Sequence, residues 1–105
     1  MKTTNILIVG VGGQGTLLTS RIVGNLALNS GYDVKMSEVH GMAQRGGSVV
    51  THVRIGSKVS SPLIEQRQAD IILAFEKLEA YRWVNYLKDD GIMIVNDQQI
   101  DPMPV

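Results

Sequence analysis

The sequence predicts an α/β fold in which helices cover both faces of a mixed, mainly parallel sheet. Three observations carry this. Short continuous apolar runs occur at Ile6 to Val9 and within Asp70 to Phe75, too brief for helices and suited to strands buried on both faces. Segments of helical apolar period separate the strand-like runs, and a glycine-rich bend joins the first strand directly to the first helix. With 105 residues, 44% of them apolar, the chain fits one domain with a modest core, so residues 1–105 are treated as a single unit.

Taken in order, Ile6 to Val9 is the first strand and ends at Gly10. From Thr16 to about Asn29, Leu18, Ile22 and Leu26 recur at helical spacing with Val23 and Ala27 beside them, and Asn29-Ser30-Gly31 supplies the stop. Asp33 to Ser37 is a second strand, with Val34 and Met36 on one side and Glu38 at its exit. Residues 38 to 47 are too polar and glycine-rich for core and read as a structured loop. Ser48 to Ile55 alternates as a strand should, and because no helix separates it from the second strand, a hairpin and a mixed sheet follow.

Ser61-Pro62 is a good helix opening and predicts a short helix through about Arg67. Asp70 to Phe75 is a further strand. Glu76 to Lys88 is predicted helical, with Ala80, Val84 and Leu87 inward and Glu76 and Glu79 at the positive end. Asp89-Asp90-Gly91 ends it, and Ile92 to Val95 is the last clear strand. The proline-bearing tail from Asp101 to Val105 is neither regular helix nor central strand.

Composition excludes several functions. Ten Lys plus Arg balance ten Asp plus Glu with no basic cluster, which argues against nucleic acid as a partner. No apolar run approaches the roughly 20 residues of a membrane span, no signal core precedes the first strand, and a soluble, cytoplasmic protein is expected. The absence of cysteine rules out disulfides and thiolate-held iron–sulfur or zinc sites in this chain. Any electron carrier must then belong to another chain. The two histidines, twelve positions apart, do not make a metal ligand set, and Ser48 and Ser60-Ser61 lack a base in sequence, so no catalytic nucleophile is assigned. His52 is read as structural, and Met36, Met42 and Met93 as packing or interface residues. Tyr81, Trp83 and Tyr86 share one helix and are core or subunit contacts.

Two constellations carry chemistry. Gly10-Val11-Gly12-Gly13-Gln14-Gly15 fits G-x-G-x-x-G in the position the mechanism needs, after a strand and before a helix whose free N–H groups favour a phosphate. Thr16 offers a further hydroxyl. The alternative is a tight turn with no ligand. For a dinucleotide, an acidic residue about 20 positions on should accept from the ribose, and Glu38, 23 positions beyond Gly15, is the candidate; it equally suits pairing within its own loop. The second constellation runs from Glu38 through His40, Gly41, Met42, Ala43, Gln44, Arg45, Gly46 and Gly47 to Ser48. Arg45 offers a planar donor for phosphate or carboxylate, Gly46-Gly47 permits close backbone approach, and His40 is either a titrating group or a packing residue. The glycine bend and the Arg45 segment are expected to face each other across one anion pocket.

Together these two segments resemble the gamma domain of the pyruvate/2-oxoacid:ferredoxin oxidoreductase family, along essentially the entire chain. The His-Gly-Met-x-Gln-Arg-Gly-Gly form, with Val95-Asn96-Asp97 and Asp101-Pro102-Met103-Pro104, is similar to its indolepyruvate oxidoreductase branch. The resemblance implies a Rossmann-like, three-layer α/β domain in the small subunit of an enzyme that converts an arylpyruvate and coenzyme A to an acyl-CoA and carbon dioxide while reducing ferredoxin. It implies that thiamine diphosphate and the iron–sulfur clusters sit in the partner large (alpha) subunit of indolepyruvate oxidoreductase, that ferredoxin is met through the complex, and that the isolated chain is not a catalyst. The family-like site comprises Gly10, Gly12, Gly13, Gln14 and Gly15 with His40, Gln44, Arg45, Gly46 and Gly47, and a coenzyme A phosphate is its implied ligand. Members resembling this chain are longer, so residues 1–105 are expected to be a partial domain with its sheet truncated at the C-terminus. The rival readings are a stand-alone NAD-type dinucleotide-binding module, with Glu38 on the ribose, and a purely structural subunit.

Overall fold

The computed structural model describes residues 3–11, 14–40 and 48–96. β1 (Thr4–Val11) leads to α1 (Gln14–Asn29), β2 (Asp33–His40), β3 (Ser48–Gly56), β4 (Ala69–Ala74), α2 (Lys77–Trp83), a 3₁₀ turn (Val84–Tyr86) and β5 (Leu87–Val95). The strands form one sheet in the order β2-β3-β1-β4-β5. β1, β4 and β5 are parallel, whereas β3 runs antiparallel to both β1 and β2. The mixed sheet and the β2–β3 pairing are as the sequence predicts. Four strands, β1, β2, β4 and β5, therefore end at the same edge of the sheet.

β1 shows why its apolar run is continuous. Ile6 and Ile8 face α1 with Ala27, Val53 and Ile55, while Leu7 and Val9 face α2 with Val50, Ile72 and Ala80. A strand covered on both faces has no polar side to alternate with. Trp83 and Tyr86 pack against the α2-side core with ring centroids 5.1 Å apart, whereas Tyr81 is exposed. Met93 packs against this same core, and Met36 sits against Gly24 of α1.

Two elements depart from the sequence prediction. Residues 61–67 form no helix. Their polar groups are taken by other partners: Ile64 N–H donates to His52 Nδ1 at 3.0 Å, and Arg54 Nη1 donates to the Ser61 carbonyl at 2.9 Å. The Ser61 hydroxyl accepts from Leu63 N–H in a local turn, and Arg67 adopts φ 65°, which ends any helical run.

The helix expected to reach Lys88 stops at Trp83, and β5 begins at Leu87. Lys88 is drawn to Asp70 on β4, with Nζ 2.6 Å from Oδ1, and Ala69 pairs with Leu87 before the register shifts to Ile71 with Ile92. Gly91 lies in that irregularity, where a Cβ would come within 2.6 Å of Leu87 Cδ1 and 3.0 Å of the Ala69 carbonyl. Of the three positions expected inward, Ala80 is buried, Leu87 half-buried and Val84 exposed.

The periodic stripe Leu18, Ile22 and Leu26 on α1 points away from the sheet; the face against the strands is Thr16, Ser20, Gly24 and Ala27. Small residues let the helix axis come close to β2 and β3, and a Cβ on Gly24 would meet Met36 at 3.3 Å. Ile92 and Ile94 of β5 are exposed as well. The proline-bearing tail, residues 101–105, and Met42 lie outside the described residues.

Candidate functional site

The site is built where the strands end. Val11, the last residue of β1, is the register partner of Ser48, the first of β3; one step back, Gly10 pairs with Val49 and Val49 with His40. The glycine bend therefore leaves the sheet beside the point where the loop from β2 returns to it. Gly12 and Gly13, the side chain of Gln14, and Gln44, Arg45, Gly46 and Gly47 lie outside the described residues.

Gly10 and Gly15 are explained by internal packing. A Cβ at Gly10 would lie 3.1 Å from Thr16 Cγ2 and 3.2 Å from Phe75 Cδ2, and one at Gly15 would lie 3.2 Å from Phe75 Cε2. The Phe75 ring, carried just beyond β4 by a hydrogen bond from its N–H to the Val9 carbonyl, occupies the space that side chains there would need. This is the role the outer glycines of such a bend have, tight turning and close helix–strand packing. Thr16 is 1% exposed with its methyl against Gly10, so it is built into the floor rather than displayed at the surface.

Glu38 and His40 lie on the α1 side of the edge strand β2, and His40 Nε2 is 3.2 Å from Glu38 Oε1. The pairing within its own segment is thus the one Glu38 makes. β3 stands between β2 and β1, putting Glu38 two strand spacings, roughly 10 Å, from the strand that carries the glycine bend. In the dinucleotide-binding arrangement the second strand is the direct neighbour of the first.

His52 is structural, as expected. It is 8% exposed, its Nδ1 accepts from Ile64 N–H, and burial lowers its pKa below the usual histidine range.

A group that sequence reasoning passed over sits at the same edge. Glu79 of α2, 1% exposed, takes a hydrogen bond from the Ser48 hydroxyl at 3.2 Å through Oε2 and lies 3.4 Å from Arg82 Nη1. Arg82 Nη1 also donates to Ser48 Oγ at 3.0 Å. Glu79 and Arg82 stand at i and i+3 of a helix, a spacing that signals an ion pair but not its burial. Its burial comes from the packing of α2 on the sheet, where Ser48 of β3 meets Glu79.

Among the described residues no cluster of three His, Asp or Glu could hold a metal, and no helix is long and apolar enough to cross a membrane. An apolar groove of about 520 Å³ beside α2 and β5 is lined by Lys77, Ala80, Tyr81, Val84, Met93 and Val95, none of them part of the glycine bend. A smaller cavity of about 150 Å³ lies between the ends of β4 and β5 beside Phe75.

Residues 5–105 match the model of the pyruvate ferredoxin/flavodoxin oxidoreductase family. Indolepyruvate oxidoreductase subunit IorB of Thermococcus kodakarensis is 48% identical over all 105 residues, which cover 52% of that protein. Thus the chain spans about half the length of the curated relatives it matches. Pyruvate oxidoreductase subunit PORC of Thermotoga maritima superposes with a TM-score of 0.73 at 25% identity, over 95% of this chain and 53% of that one. A 2-oxoglutarate:ferredoxin oxidoreductase of Magnetococcus marinus, solved with 2-oxoglutarate, coenzyme A and succinyl-CoA bound, shares the fold with a TM-score of 0.71 at 19% identity, over 99% of this chain and 18% of that one.

Proposed function

Because the chain belongs to the pyruvate ferredoxin/flavodoxin oxidoreductase family, we propose that it is the glycine-rich portion of the small subunit of an indolepyruvate:ferredoxin oxidoreductase. The enzyme carries out the coenzyme A-dependent oxidative decarboxylation of an arylpyruvate in the cytoplasm, and electrons leave to ferredoxin. The observation that carries this reading is the 48% identity to the indolepyruvate subunit from the first residue to the last. A chain without cysteine offers no thiolate for an iron–sulfur cluster. The redox centres and thiamine diphosphate are assigned to a large partner subunit, and this chain to assembly and coenzyme A handling.

Within that assignment, the amide-rich bend from Gly10 to Gly15 and the opening turn of α1 supply donors for a phosphate of coenzyme A, and Arg45 supplies a planar cation from the segment that joins β2 to β3. Gln14, His40, Gln44, Gly46 and Gly47 complete the proposed lining. Bound there, coenzyme A supplies the thiol that accepts the acyl group. The residues of this chain bind and orient its charged end and perform no step of bond making.

The dinucleotide-binding alternative finds less support, because Glu38 is engaged with His40 and lies beyond β3. Titration calorimetry with coenzyme A and NAD separates the two: coenzyme A should bind and NAD should not. Tight NAD binding that disappears in Glu38→Ala would overturn the assignment. Co-expression with a cysteine-rich large subunit should yield arylpyruvate-dependent ferredoxin reduction that neither chain gives alone.

A further inference from the structure

The Ser48–Glu79–Arg82 group is costly for its surroundings. Glu79 is among the most deeply buried side chains of the chain, yet its Oε1 atom is buried with no hydrogen-bond partner. A carboxylate taken out of water is unfavourable unless both oxygens are satisfied, and an apolar residue of similar volume would usually serve stability as well or better. The arrangement does accomplish one thing. Glu79 Oε2 and Ser48 Oγ together hold a single nitrogen, Nη1, of Arg82.

Arg82 is half-exposed, and each hydrogen bond or ion pair it forms among the described residues uses Nη1. Among the described residues its Nε and Nη2 take part in no hydrogen bond or ion pair. The position is specific: Ser48 is the register partner of Val11, so the pinned group stands one strand from the start of the glycine bend. A planar cation held through one nitrogen by a buried carboxylate, with two further nitrogens unengaged among the described residues, suits bidentate recognition of a phosphate.

We propose that Arg82 is a phosphate-binding residue of this sheet edge, with Glu79 and Ser48 as positioning residues that fix its orientation. The proposal rests on the reading that the edge takes a phosphate-bearing ligand, and deepens it by naming a side chain on the α2 side of the sheet. Arg82 and the α1 amides would then approach the ligand from opposite faces.

The test is calorimetric binding of coenzyme A, inorganic pyrophosphate and pantetheine to the 105-residue chain and its variants. Arg82→Met should weaken coenzyme A and pyrophosphate about tenfold or more and leave pantetheine, which has no phosphate, unchanged. Arg82→Lys should recover part of the loss, because the charge returns without the fork. Glu79→Gln should give a smaller loss with the same selectivity for phosphate-bearing ligands. Since Arg82→Met leaves a buried carboxylate without its cation, the double variant Glu79→Gln/Arg82→Met keeps the measurement valid if the single variant unfolds. Folded variants that bind coenzyme A as the parent does would overturn the role of Arg82 and leave the phosphate edge standing. A parent chain that binds neither coenzyme A nor pyrophosphate would remove both.

Discussion

Replacing Gly10 by alanine asks whether this glycine serves packing or a ligand. Gly10 does not have positive φ, so an alanine there meets no backbone penalty, and the effect is steric. Its Cβ would lie 3.1 Å from Thr16 Cγ2 and 3.2 and 3.3 Å from Phe75 Cδ2 and Cβ, three contacts on two sides of the new methyl. Thr16 is 1% exposed and cannot swing into solvent without leaving a hole. Overpacking of this kind costs about 1–3 kcal/mol, and three simultaneous contacts place Gly10→Ala in the middle of that range, about 2 kcal/mol.

Urea denaturation followed by Trp83 fluorescence reads the loss as a lower midpoint at constant slope. Phe75→Leu removes the ring, so a double-mutant cycle should return a coupling of about 1 kcal/mol or more. Unchanged stability together with loss of coenzyme A binding would refute the packing argument and return Gly10 to the ligand.

Three further outcomes follow from the same geometry. Burial holds the folded-state pKa of His52 below its unfolded value of about 6.5, so the unfolded chain binds the extra proton. Stability contributed by the neutral ring is complete above about pH 6.5 and is lost as pH falls from there through the folded pKa; His52→Asn, which keeps an acceptor for Ile64 N–H, should flatten the urea midpoint between pH 7 and 5, and an unaltered slope would count against it. Gly91→Ala puts a Cβ 2.6 Å from Leu87 Cδ1 and 3.0 Å from the Ala69 carbonyl, so a destabilisation of about 2–3 kcal/mol is expected, with the backbone contact preventing full relief by Leu87→Ala. Gly31→Ala meets no neighbour within 4 Å but sits at φ 90°, so its cost of about 1 kcal/mol is purely conformational; thermal melting should show a small drop for alanine, and a gain in stability would contradict the left-handed cap.

Ile6 to Val9 declares a buried strand because a strand enclosed by two helical layers admits no polar alternation, a strictly local condition; Ile71 to Leu73 reads the same way, although Ile71 and Leu73 are half-buried. The bend at Gly10 and the stop at Gly31 were equally readable, since a glycine directly after a strand-like run or a helical run marks a change of chain direction, and Gly31 does adopt φ 90°. Helical period located α1 but not its buried side. Leu18, Ile22 and Leu26 recur as regularly as Thr16, Ser20, Gly24 and Ala27, and the small residues face the sheet. The capping signal at Ser61-Pro62 was genuine chemistry spent differently: Ser61 closes a turn while His52 and Arg54, on a strand met earlier in the chain, take the neighbouring backbone groups.

Around the candidate site the division is the same. Glycine spacing and the run from Glu38 to Ser48 are properties of neighbouring residues, and they mark the two segments with no fold in hand. Three facts depend on residues distant in the chain: the insertion of β3 between β1 and β2, which moves Glu38 away from the glycine bend; the seat of Phe75 against Gly10 and Gly15; and the burial of Glu79 beneath Ser48. Strand order is set by which pairing satisfies the most backbone groups while covering both apolar faces, a competition among segments up to 65 residues apart, as the Asn5–Asp70 hydrogen bond illustrates. Local periodicity holds no record of that competition, so an ordinary i, i+3 ion pair on a short helix became a buried carboxylate and a pinned guanidinium only when the sheet closed over it.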